Sequence, residues 1–511
     1  MNRRDFLATG VAGVVVAASD GLSPIHEALA ADAGVMLAEA LVSPNDTRLN
    51  VKPVMTSIIH SDVWEGSCRW KAVSPGDEAK NANEFFARWA KELQSKGMGG
   101  SSAVKLLEPV HITFSEDFTI KPEEMNKLAP DSEATDIFYV HPAGSSISAF
   151  EIGNHFGKPI LLRGLGCRIV DIVAYTRSKG NEAFVAADDA DMARLVSLLR
   201  ARKVFRSTRV LFPTDRGLPA ACSIGSIWDL DGLENRLGIA VTAIPYQAMI
   251  DEMKRVQADS AATDRARKAS EELFRNARKS YLDEQYVVKS IQFYQTVRNL
   301  MARYGANAFT IECFELCSSR LPDEWQITPC LIHGLLKDLG HASSCEGDLG
   351  SLLAIRLLMS VSGKSCHQGN SDPKGVGTFR VNHSNPALKM NGFDQPDLPY
   401  QLGRFVSKGW GTKFVVDFMN NEEKTVTVAR VSPDARRLLV LRGELAGASG
   451  WGEDLIGCSV EALIKPPQGR LDEFLRKRLD YGNHLQWVYG DCADAMRQVG
   501  EMLGLEVEVI S

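Results

Sequence analysis

Short β-prone runs alternate with helical ones over most of the first half of this chain, and that alternation constrains the fold more than any other feature. Residues 51–60 read as a strand. Residues 82–96 place Phe85, Phe86, Trp89 and Leu93 at helical spacing. Strands are predicted over 110–114 and 137–141, a helix over 146–155 and a strand over 159–162. A second series follows, with strands over 183–186, 208–212 and 239–244 and helices over 189–202 and 226–236. Most strands thus reach the next through a helix, which argues for parallel pairing with helices on both faces of the sheet. At 511 residues the chain is too long for one core. The expectation is an α/β protein with two Rossmann-like parallel-sheet domains, over 46–175 and 176–345. Residues 245–304 contain no Gly or Pro after Pro245 and form a helical bridge within the second domain.

The pattern changes in the third domain, expected over 346–511. Residues 414–418, 424–431 and 437–441 alternate apolar and polar side chains without long helices between them. That predicts a mainly antiparallel sheet or barrel. The last stretch reads as α/β again, with strands over 484–489 and 505–510 around a helix over 491–503.

Composition excludes some functions. Net charge is -6, and no basic aromatic tract suggests a nucleic-acid partner. No segment is apolar for the 18 residues a spanning helix needs, so no membrane insertion of the mature chain is expected. The N-terminus differs from the rest. Arg3-Arg4-Asp5-Phe6-Leu7, a mildly apolar run over 10–19 and Ala28-Leu29-Ala30 occur in order. Together they resemble a twin-arginine export signal over 1–31. The resemblance implies handling by the twin-arginine translocation machinery and a periplasmic or other extracytoplasmic location. Ten cysteines are scattered without a C-x-x-C pair, which argues against structural zinc and for mostly buried thiols.

Candidate chemistry concentrates between residues 308 and 386. Glu346 ends the apolar run 342–345, at the carboxyl edge of a predicted strand, where α/β proteins build their sites. Gly347 permits a tight turn into a helix, and Asp348 falls at its N-cap, which explains that residue structurally. His383 closes the next strand-like run and His484 opens a later one. The loop between Glu346 and His383, Cys366-His367-Gln368-Gly369-Asn370-Ser371-Asp372, offers further ligands. A strand-end carboxylate with imidazoles is the raw material of a divalent-metal site. Taken singly, each of these residues is also explained by a structural ion pair or hydrogen bond.

The segments AFTIECFE, TPCLIHGLLKDLGHASSCEGDLGSLL, HQGN and VNHSNP, with the closing GNHLQWVYGD and LGLEVEVI, resemble the L-fucose and L-arabinose isomerase superfamily. The resemblance implies a divalent metal, most often Mn2+, held by Glu346, a second carboxylate about 25 residues later, His383 and His484. Asp372 is the acidic candidate for that second position. Glu346 and Asp372 would share the proton transfers of an aldose–ketose interconversion through an enediol(ate), on a deoxy-sugar, pentose or related monosaccharide. Asn370 and Trp64 are candidate substrate contacts, and a homo-oligomer is implied. Two alternatives remain: an exported sugar-binding protein without turnover, and a metal-dependent epimerase or dehydratase.

Overall fold

A computed structural model describes residues 43–66, 69–220 and 222–511. The first 42 residues, and with them the export-signal expectation, lie outside the described residues. The first sheet contains β1 (Leu49–Ile58), β4 (Val104–Leu106), β5 (Val110–Phe114), β6 (Ile137–Pro142), β7 (Ile160–Arg163) and β8 (Ala183–Ala186). All its pairings are parallel, with β1 flanked by β6 on one side and by β4 and β5 in succession on the other. A small hairpin, β2 (Trp64–Gly66) and β3 (Arg69–Val73), follows β1. The second sheet is also parallel, in the order β10 (Ala240–Ile244), β9 (Arg209–Pro213), β11 (Ala308–Ile311), β12 (Ala342–Cys345).

The third unit is a closed antiparallel barrel. Its ring runs β17 (Thr425–Val431), β20 (His484–Tyr489), β13 (His367–Pro373), β14 (Phe379–His383), β19 (Val460–Lys465), β18 (Arg437–Ser449) and back to β17. The long strand β18 makes closure possible. Its register shifts between Leu445 and Gly447, so its second half pairs β19 while its first half pairs β17. Such bulges bend a strand round a corner, and closure leaves no ring strand with an open edge. The final strand, β21 (Glu506–Ile510), adds to β18 in parallel. A separate antiparallel pair, β15 (Tyr400–Arg404) and β16 (Thr412–Val416), packs among the helices of the second unit.

Two features depart from expectation. The strand 183–186, assigned by its sequence to the second domain, is β8 of the first sheet. The helix Asp189–Arg206 then joins the two units. Its Met192, Leu195, Val196 and Leu199 pack with Val51, Tyr139 and Leu161, and its Leu198, Ala201 and Phe205 pack with the core around the helix Leu349–Ser362. The run 484–489 is not part of a terminal parallel unit but a barrel strand between β17 and β13. Apolar alternation cannot reveal a partner, and β20 is buried along its whole length. The helical bridge is present as three helices, Tyr246–Ala258, Ser260–Asn276 and Glu284–Arg303. Among the described residues no helix is long and apolar enough to cross a membrane.

Candidate metal and acid–base site

The site forms where the carboxyl end of β12 meets the barrel. Glu346 follows β12 directly and adopts φ 63°, the left-handed region. For a residue with a side chain that conformation costs about 1 kcal/mol or more, and it persists only where the surroundings impose it. Gly347 continues the turn at φ 64°, and a Cβ there would lie 2.8 Å from Phe212 Cζ. Ser226 pins the turn, its Oγ donating to Gly347 O and accepting from Leu349 N. Asp348 then caps the helix Leu349–Ser362, its carboxylate accepting from Ser351 N. The local chain direction is therefore set by Gly347 and Asp348, and it aims Glu346 at the barrel.

Two barrel strands supply the histidines. In β13, Gly369 and Asn370 lie between them: Asn370 is opposite Asn382 on β14 and opposite His484 on β20. Gly369 has no room for a side chain, because a Cβ would lie 2.6 Å from Asn382 N. That close approach brings β14 and β20 to either side of one position, and the rings of His383 and His484 are 5.6 Å apart. His383 Nε2 lies 3.2 Å from Glu346 Oε1, and His484 Nε2 lies 3.3 Å from Glu346 Oε2. Both histidines are 2% exposed or less, so solvent cannot compete for these contacts.

Behind His484 stands a second carboxylate. Asp348 Oδ2 accepts from His484 Nδ1 at 2.9 Å and from Arg430 Nη1 at 2.7 Å. Donation from Nδ1 fixes the tautomer and leaves His484 Nε2 facing Glu346 without a hydrogen-bond partner. A carboxylate oxygen and an imidazole lone pair 3.3 Å apart repel unless a cation, a proton or a metal ion, lies between them. Thiols complete the surroundings. Cys222 Sγ donates to Glu346 Oε2 at 3.0 Å, and Cys458 Sγ lies 3.7 Å from His383 Nδ1. Ligand atoms of Cys345, Glu346 and His383 all fall within 4.8 Å of one another.

The titration behaviour follows from this crowding. Burial would raise the Glu346 carboxyl, but the proximity of His383 and His484 outweighs it and holds the group far below the carboxylate range. Burial likewise opposes, and Arg430 and His484 overcome, to keep Asp348 ionised. His383 and His484 are held above the ordinary histidine value despite burial, the first by Cys458 and Glu346, the second by Asp348 and Glu346. Without a metal, the neighbouring anions thus favour the protonated form of both imidazoles.

The donors present fit a divalent ion. Oxygen and nitrogen ligands about 2.0–2.2 Å from one ion lie roughly 3.0–3.5 Å from each other, and the two Glu346–histidine spacings are within that range. The Asp348–His484 contact is the carboxylate–histidine support that metal-binding imidazoles use.

The sequence-predicted residues divide accordingly. Glu346, His383 and His484 come together, and Asn370 lies beside His484, its Oδ1 accepting from Asn483 Nδ2. Asp372 does not join them. Gln368, Asn370 and Asp372 occupy one side of β13, and Gln368 Oε1 accepts from Cys345 N at 2.8 Å. The row therefore starts at the site and leads away from it, ending at Asp372, which is half-exposed and ion-paired to Arg380 at 2.8 Å. Position 370, the nearer one, is an amide. Trp64 is in the first unit, on the hairpin after β1, with its ring stacked on His60 at 4.8 Å. Asp348, Arg430, Cys222, Cys345 and Cys458 were missed as site residues. Asp348 has an evident cap role that hid its second one, and the others carry no spacing signal. Of the nine described cysteines, all free, only Cys330, Cys345 and Cys366 are fully buried, fewer than expected.

No protein-family model matches the chain. Over 344 residues it is 24% identical to proteins named sulfoquinovose isomerase from Priestia aryabhattai and from Priestia megaterium (strain ATCC 12872 / QMB1551). The matched stretch is 64% of this chain and 71% of each relative. The likeness is distant, and it is to a sugar isomerase.

Proposed function

We propose that the protein is a divalent-metal-dependent aldose–ketose isomerase acting on a monosaccharide of the deoxy-sugar or pentose class. One observation carries this most: a conformationally strained Glu346 held between two buried imidazoles, one of them oriented by a second carboxylate. Glu346, His383 and His484 would hold the ion, with Cys345 within reach, and Mn2+ is the ion the family resemblance implies. When bound, such an ion stabilises the negative charge that develops on the sugar oxygens of an enediolate. Glu346 is the base that takes the proton from the carbon next to the carbonyl and returns it to the neighbouring carbon. Asp348 keeps the Nδ1 proton of His484 in place, so that Nε2 remains available to the site. The barrel wall and the helix Leu349–Ser362 exclude water from the back of the site. Asn370, beside His484, would bond a sugar hydroxyl. Trp64 would offer its ring to a sugar in a homo-oligomer whose subunits share their sites. Export by the twin-arginine route rests on the N-terminal signal alone.

The pairing of Asp372 with Arg380 favours a second reading, sugar binding without turnover, because it removes one candidate for the second proton-transfer group. Incubation with Mn2+ and a panel of aldoses that includes sulfoquinovose, followed by NMR of the products, separates the readings. A ketose whose formation stops with chelator supports isomerisation. An epimer or a dehydrated sugar indicates the related enediolate chemistries, and binding without product indicates the second reading.

A further inference from the structure

Cys313 and Cys345 face each other beside the proposed metal site, with Sγ atoms 2.9 Å apart. The topology makes this pair. Strands β11 and β12 are adjacent and parallel, with Ile311 opposite Cys345. Glu312 then caps the helix Cys313–Ser318, its carboxylate accepting from Phe314 N and Glu315 N. That turn brings Cys313 over the end of β12. Sulfur atoms not bonded to each other are expected to stay about 3.6 Å apart, and a disulfide bond is about 2.05 Å long, so the thiols need only a small approach. Access is one-sided. Cys345 is 1% exposed, whereas Cys313 is partly open and next to Phe314, which is 62% exposed. Cys345 also directly precedes Glu346, and its N–H is held by Gln368.

We infer that Cys313 and Cys345 form a reversible dithiol switch whose oxidation by a small-molecule disulfide weakens the adjoining metal site. The inference rests on the proposed function for its consequence but not for its chemistry. In the first step Cys313 sulfur attacks the reagent disulfide, forming a mixed disulfide and releasing one thiol. Cys345 sulfur then attacks Cys313 sulfur, closing the Cys313–Cys345 bond and releasing the second thiol. The two protein thiol protons leave with the two reagent thiols, so two protein thiols are oxidised as one reagent disulfide is reduced. Closure draws the end of β12 toward the helix Cys313–Ser318 and removes the Cys345 thiol from reach of Glu346 and His383. The Glu346 backbone, already in a costly conformation, has little freedom to compensate.

The test treats the full-length protein with oxidised glutathione, maps disulfide-linked peptides by mass spectrometry, and titrates the oxidised and dithiothreitol-reduced forms with Mn2+ by calorimetry. A Cys313–Cys345 linked peptide is expected, with Mn2+ affinity about tenfold weaker in the oxidised form, the scale of a lost supporting contact, and restored by reductant. Cys313→Ser should form no such link and keep its affinity under oxidant, with circular dichroism reporting its fold and Cys313→Ala serving as a second variant. Oxidation confined to other cysteines, or a Cys313–Cys345 link that leaves Mn2+ affinity unchanged, overturns the inference. A protein that forms the link but binds no Mn2+ in either state instead contradicts the proposed function.

Discussion

Asp348→Asn separates the two tasks that this side chain performs. The substitution is nearly isosteric, and asparagine is also a good N-cap, so the start of the helix Leu349–Ser362 should survive. The charge is what is lost. Arg430 and Asp348 form an ion pair at 2.7 Å with side chains 1% and 2% exposed, so the guanidinium would remain buried without its counter-ion. Removing one partner of such a pair costs about 3–5 kcal/mol of stability, a large share of the roughly 5–15 kcal/mol that holds a domain folded. The second loss falls on His484, whose Nδ1–H would face an amide instead of a carboxylate. Loss of this kind of support weakens metal binding about 10–100-fold, or roughly 1.4–2.8 kcal/mol. Thermal unfolding followed by circular dichroism measures the first effect. Calorimetric titration with Mn2+, at a temperature where both proteins are folded, measures the second. A destabilised variant that binds Mn2+ with unchanged affinity would show that Asp348 serves only Arg430 and the helix cap, and the proposed orientation of His484 would be wrong.

Other perturbations have distinct outcomes. Glu346→Gln should lower turnover by about 10²–10⁴-fold, the usual contribution of a general base, while the circular dichroism spectrum stays unchanged. His383→Ala and His484→Ala should each weaken Mn2+ binding in the same titration, and a variant with unchanged affinity would mark that histidine as structural. Metal binding should also release protons, since Cys458 and Glu346 hold His383, and Asp348 and Glu346 hold His484, above the ordinary pKa despite burial. Below that raised value the ion must displace a proton. Mn2+ affinity should therefore rise with pH through and above the ordinary histidine range, and titrations in buffers of different ionisation enthalpy would count the protons. Asp372→Asn breaks only a half-exposed ion pair with Arg380. It should cost about 0–1 kcal/mol and leave metal affinity alone, and a large loss of affinity would return Asp372 to the ligand set.

The parallel sheets were legible because each strand and each helix carries its own period, and the barrel because alternation without helices implies antiparallel pairing. The boundary near 175 was not. β8 and the helix Asp189–Arg206 look alike in either unit, and only the packing of Met192 and Leu195 against one sheet and Leu198 and Phe205 against the other core reveals the joint. Glu346 was legible from its place at a strand end. His383 and His484 meet because β13 separates their strands at Gly369 and Asn370, a register no sequence pattern encodes. Asp372 was singled out as the one acidic residue in its loop. The direction of the row Gln368, Asn370, Asp372 could not be known before β13 was placed against β12.

The central claim, that Glu346 moves a proton between neighbouring sugar carbons, is tested most directly by exchange in D2O. Protein loaded with Mn2+ is incubated with the aldose panel and followed by proton NMR. Deuterium should enter the carbon next to the carbonyl as ketose accumulates, and both signals should vanish in Glu346→Gln and on chelation. Exchange that persists in Glu346→Gln, or its absence with every sugar while Mn2+ is demonstrably bound, would contradict the account.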